Sequence, residues 1–128
     1  MWILAATTGM RRSELAGVDR DALDLEHGTL LVEDTRVVVD GRPQDSDGKT
    51  DSSRRAISLD PFTVGAMAQY IGMLDRERAA FGPSYPDHGK LMVFEDGRRL
   101  HPDTITRRFN RSVDQAGVPR IRLHDVRH

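Results

Sequence analysis

The stretch that most constrains the fold is 61–81, where Val64, Met67, Ala68, Ile71 and Leu74 recur at three- and four-residue spacing. That period is a core-facing helical stripe, and Pro61 suits the first position of a helix, so one long helix is predicted over 61–81. Just before it the period is different. Residues 28–33, 35–39 and 54–59 are rich in β-branched side chains and read as strands. One apolar helix face and a short block of strands fit a chain of 128 residues with one modest core. The expected class is α+β, mainly helical, with a small three-stranded antiparallel sheet. Asp40-Gly41 is a turn signal, and the polar run 42–53 reads as a mobile hairpin loop carrying Lys49.

The remaining elements follow from caps and periods. Residues 1–6, apolar almost all round, read as the end of a buried helix whose start lies outside the chain. Gly9 breaks it, and a second short helix is expected over 10–17, with Met10 and Leu15 inward. Leu91-Met92-Val93-Phe94 reads as a short buried strand, followed by a turn at Glu95-Asp96-Gly97. Pro102 and Asp103 open another helix, which Gly117 ends. Ile105, Phe109 and Val113 face its core side, with Arg107, Arg108 and Arg111 opposite. Tyr70 falls off the stripe of the long helix.

Charge is more informative in its distribution than in its sum. The formal net charge is −1, yet 14–60 holds 12 acidic and 6 basic residues, while 98–128 holds 8 arginines and 3 aspartates. Such asymmetry points to one face built for an anion. Of the 19 basic residues only Lys49 and Lys90 are lysine. Without cysteine there is no disulfide or thiolate chemistry, which fits a cytoplasmic protein. No run of about 18 apolar residues is present, so no membrane span is expected.

The chain closes on Leu-His-Asp-Val-Arg-His at 123–128. On a helix, His124 and His128 share a face with Arg127 beside them, an arrangement suited to a phosphate. The same spacing also fits a metal site, although no third ligand is evident nearby.

Three motifs in this order resemble the tyrosine recombinases of the phage integrase family. They are Thr8-Gly9-Met10-Arg11-Arg12-Ser13-Glu14-Leu15, then Gly48-Lys49-Thr50 with Arg54-Arg55-Ala56-Ile57-Ser58-Leu59, then His124-Asp125-Val126-Arg127-His128. The resemblance covers nearly the whole chain. It implies a DNA breaking-rejoining catalytic domain that carries out phosphoryl transfer through a 3′-phosphotyrosine, without a metal or other cofactor. By match to the motifs, Arg11 and Arg127 would grip the phosphate and Lys49 would protonate the departing 5′-oxygen. His124 would act as proton acceptor and phosphate ligand. Glu14 and His128 would support them from behind. Arg12, Arg107, Arg108, Arg111 and Arg122 are the expected contacts to double-stranded DNA.

The resemblance also implies that residues 1–128 are a partial catalytic domain. The N-terminal DNA-clamping domain and the segment bearing the nucleophilic tyrosine are expected to lie outside it. Tyr70 and Tyr85 are at neither family position, so the chain alone is expected to be inactive, its parent acting as a tetramer on DNA. Two other readings stand beside this one: a non-catalytic DNA-binding module built on the Arg107–Arg111 face, and a type IB topoisomerase-like enzyme.

Overall fold

The computed structural model describes residues 1–47 and 54–127. Lys49 and His128, two of the expected site residues, therefore lie outside the described residues. Helix α1 (Trp2–Thr8) ends at Gly9, whose φ of 64° lets its N–H turn back to the Ala5 carbonyl. Helix α2 (Arg12–Gly17) starts from Arg11 as its N-cap, and Leu15 and Ala16 face the core.

Strands β1 (Leu23–Asp24), β2 (Thr29–Val32) and β5 (Arg55–Ser58) form an antiparallel sheet in the order β1-β2-β5. Alternation along β2 buries Leu30 and Val32 and leaves Leu31 outside. The expected three-stranded sheet is present, but one of its strands is not the one foreseen. Strand β3 (Asp34–Val39) leaves this sheet and pairs with β4 (Arg42–Asp47) as a separate two-stranded ribbon.

Residues 42–47, expected as loop, are thus strand. Their polar sequence hides this because a ribbon beside the main sheet needs the backbone ladder rather than an apolar face. Pro43 fits because each strand of such a ribbon has an outer edge that requires no donor. The turn signal at Asp40-Gly41 is correct: both residues have positive φ, 49° and 73°, as a tight two-residue hairpin demands.

Helix α3 (Pro61–Phe81) has the expected bounds. Asp60 caps it, accepting from the Thr63 N–H at 3.0 Å and from its hydroxyl at 2.6 Å. Its buried face matches the expected stripe at Met67, Ile71 and Leu74 but is rotated toward Thr63 and Tyr70. Thr63, Met67 and Leu74 are buried, Ala68 is exposed, and Tyr70 packs against the core. Tyr70 can lie there because its hydroxyl donates to the Leu91 carbonyl at 3.1 Å, satisfying the one polar atom of a large apolar ring.

The segment Leu91-Met92-Val93-Phe94 is buried at Leu91 and Met92 but is not a strand. Two isolated bridges, Asp19–Lys90 and Val93–Arg99, hold it instead. Lys90 secures the first: its ammonium donates to the Gly17 carbonyl at 2.9 Å and sits 2.7 Å from Asp19.

Helix α4 (Pro102–Ala116) runs from His101, whose Nδ1 accepts from the Asp103 N–H, to Gly117 in the left-handed region. Ile105 and Val113 are buried, and Phe109 meets Trp2 edge-on with centroids 5.6 Å apart. The chain closes on a 3-10 turn, Leu123–Arg127, rather than the expected α-helix. Leu4, Leu15, Leu30, Met67, Leu91, Met92 and Ile105 form one core. Among the described residues no helix is long and apolar enough to cross a membrane.

Candidate active site

A cleft of about 650 Å³ opens where four segments converge. The start of α2 contributes Arg11, Arg12 and Ser13, and β3 contributes Arg36. Pro102, Thr106 and Asn110 of α4 form another wall, and Arg122, Leu123 and His124 close it. Four arginines and a histidine line this cleft, and among the described residues no lining residue is acidic. Such a surface attracts an anion, and guanidiniums suit the oxygens of a phosphodiester.

Arg11 reaches the cleft because of what happens beneath it. Glu14, 1% exposed, sits one turn into α2. Its carboxylate accepts from the Arg11 backbone N–H at 2.6 Å and from Arg11 Nη1 at 3.2 Å. Arg55, on β5, donates to both oxygens of the same carboxylate, Nη1 to Oε1 at 2.7 Å and Nη2 to Oε2 at 3.0 Å. Burial alone would push the Glu14 carboxyl up, but the hydrogen bonds and charge of Arg55 and Arg11 outweigh it and hold it below the usual range. The Arg11 side chain remains 57% exposed above this buried carboxylate.

Arg12 points along the cleft to α4, donating to Asp103 at 2.9 Å and to the Thr106 hydroxyl at 3.3 Å. Arg122 makes a fork to Asp125 at 3.0 and 2.9 Å, and its backbone N–H adds a third bond. Together these draw the Asp125 carboxyl down to about 2. Arg127 completes the 3-10 turn next to His124; its side chain lies outside what is described.

The cleft therefore brings together Arg11, Arg12, Arg122 and His124, with Glu14 under Arg11. The arginine face of α4 lies elsewhere and is divided. Arg107 and Arg111 border a shallow groove with Asn110 and Asp114. Arg108 stacks on the Phe94 ring, 5.0 Å from its centroid, beside a separate cavity. Neither Tyr70 nor Tyr85 lines the cleft.

Two residues in this region receive no role from the motifs. Arg36 lines the cleft and pairs with Asp45 on β4 at 2.9 Å, a carboxylate shared with Arg99. Arg55 was visible only as one of two adjacent arginines. Its signal was the alternation of β5, which places Arg55 with Ile57 on the inward side and Ala56 outward. An arginine on an inward strand position requires a buried acid to meet it.

The sequence is 30% identical over 129 residues to the putative prophage phiRv2 integrase of Mycobacterium tuberculosis, covering 98% of this chain and 32% of that protein. It is 22% identical to a tyrosine recombinase XerC-like protein of Caldanaerobacter subterraneus, covering all of this chain and 36% of the relative. The chain thus spans about a third of the length of these relatives. Among solved structures, XerA recombinase superposes with a TM-score of 0.75 at 22% identity, over 98% of this chain and 38% of that one. The Tn1549 transposon integrase in complex with transposon right end DNA gives 0.77 at 22% identity, over 98% and 42%. The fold is accordingly that of tyrosine recombinases. With its match to the family running from residue 1 to residue 128, the chain belongs to the phage integrase family.

Proposed function

We propose that the chain is the cation-bearing part of the catalytic domain of a site-specific DNA recombinase, which cleaves and rejoins double-stranded DNA through a 3′-phosphotyrosine. The observation that carries this reading is the convergence of Arg11 and His124, 113 positions apart in the sequence, on one cleft that Arg12, Arg36 and Arg122 also line. In the proposed reaction a tyrosine hydroxyl outside this chain attacks the phosphorus, and the 5′-oxygen departs. Charge builds on the non-bridging oxygens, where Arg11 and Arg127 neutralise it without a metal. His124 accepts the proton of the attacking hydroxyl or holds a phosphate oxygen. Lys49 gives its proton to the leaving 5′-oxygen. Glu14 keeps Arg11 in register, and His128 supports the pair from the end of the motif.

Contacts outside the cleft hold the duplex. Arg12, Arg107, Arg108, Arg111 and Arg122 are the proposed phosphate contacts, which give affinity without sequence preference. The full-length parent is proposed to act as a tetramer on DNA, in the cytoplasm, and the 128-residue chain to be inactive alone.

The test is strand cleavage of a nicked duplex carrying the recombination site. In the full-length parent, Arg11→Ala and Lys49→Ala each lower cleavage by on the order of 10²–10³-fold while duplex binding persists. The 128-residue chain forms no covalent adduct with the same DNA. Unchanged cleavage in either variant, or an adduct with the chain alone, overturns the reading.

A further inference from the structure

We propose that Arg55 is a positioning residue for Arg11: by holding the Glu14 carboxylate in a two-pronged grip, it keeps the Arg11 guanidinium out in the cleft. The inference rests on the reading of that cleft as a phosphate site.

The argument begins with the four acceptor sites of the Glu14 carboxylate. Oε1 takes Arg55 Nη1 and Arg11 Nη1; Oε2 takes Arg55 Nη2 and the Arg11 backbone N–H. Every lone-pair direction is occupied. Among the described residues, Arg11 commits one side-chain nitrogen to Glu14, while Arg55 commits two. A carboxylate that is 1% exposed cannot keep its charge without a well-placed cation. With Arg55 removed, Arg11 is the remaining guanidinium on it. The side chain would then close over Glu14 in the fork geometry that arginine prefers, and leave the cleft.

This relationship makes an unusual double-variant prediction. Removing Arg55 traps Arg11, but removing the Glu14 charge as well releases it. The Arg55→Met/Glu14→Gln double also restores the net charge of the native chain. A residue that merely fastened β5 to α2 would give the opposite pattern, because the double loses the fastening entirely.

The experiment measures binding of this chain to a non-specific DNA duplex across a salt series. Arg11→Ala lowers the slope of log K against log salt by about one, the loss of one phosphate contact. Arg55→Met lowers it by the same amount, and the double variant recovers much of that loss. Circular dichroism follows folding. If Arg55→Met unfolds, Arg55→Lys takes its place: a lysine keeps the charge but not the fork. It gives a partial loss, which Glu14→Gln again relieves. A native slope in folded Arg55→Met, or a folded double that fails to recover, overturns the role of Arg55 while leaving the phosphate site intact. A native slope in Arg11→Ala instead overturns the phosphate reading, and the inference with it.

Discussion

Arg12 Nη1 lies 2.9 Å from Asp103 Oδ1, joining the first turn of α2 to the first turn of α4 across 91 positions of sequence. Asp103 stands near the positive end of α4, where a carboxylate is already favoured. Both side chains are open to water, 44% and 55% exposed, so the pair contributes little to stability, at most about 1 kcal/mol. Its importance is competitive. A duplex phosphate that approaches Arg12 has to displace this carboxylate.

Asp103→Asn is therefore expected to strengthen binding of non-specific duplex several-fold at low salt and to change the melting temperature little. Fluorescence anisotropy titrations at two salt concentrations check this. An affinity equal to that of the native chain would remove Arg12 from the DNA surface.

Gly17 ends α2 against the backbone of β3. A Cβ built there would lie 2.6 Å from the Thr35 carbonyl carbon and 2.7 Å from the Arg36 nitrogen. Backbone on both sides leaves no flexible side chain to yield. Gly17→Ala should destabilise the chain by about 1–3 kcal/mol, as overpacking does. Thermal unfolding measures the loss. Because Arg36 follows directly on β3, the same variant should also weaken duplex binding.

Acid should expose the Glu14 pair. Its folded carboxyl titrates below the usual glutamate value, so its contribution is complete above that value, about 4.3, and is lost as pH falls through the depressed one. Glu14→Gln lacks this titration and leaves Arg55 without its acid. It should be less stable than the native chain by about 1–3 kcal/mol at neutral pH, with the gap narrowing below pH 4.3. Urea unfolding at a series of pH values checks the convergence.

Tyr70 gives a signature at the opposite end of the scale. Burial pushes its phenol up to about 12, so it stays neutral in the fold well beyond the ordinary tyrosine range. The stability it adds is present below about pH 10 and is lost as pH rises toward 12. Tyr70→Phe removes the hydrogen bond to Leu91 and should cost about 1 kcal/mol. Ultraviolet titration of that variant should lack the late-ionising phenol.

The sequence carried the helices well and the ribbon poorly, for a physical reason. Pro61, Pro102 and the caps Asp60 and Gly117 write helix ends into local chemistry, and the structure has them there. Strand β4 has no comparable mark, because its pairing with β3 is a backbone ladder beneath a polar sequence. Tyr70 was misplaced because a period cannot foresee that a single hydroxyl would find the Leu91 carbonyl. Of the residues that the motifs single out, Arg11 and His124 line one cleft and Glu14 lies beneath Arg11. Arg55 belonged to a matched motif without an assigned task, since its task depends on a partner 41 positions earlier.

That separation has a consequence for the order of events during synthesis. Glu14 leaves the ribosome with Arg11 as its near neighbour, long before β5 has been made. In the nascent chain the local pairing is the one available, because closing a loop to a distant partner waits for the distant residue. Only when β5 docks beside β2 can Arg55 share the carboxylate with Arg11. The three-way arrangement beneath the cleft is thus completed late, and in a half-made chain Glu14 has Arg11 as the cation within its reach.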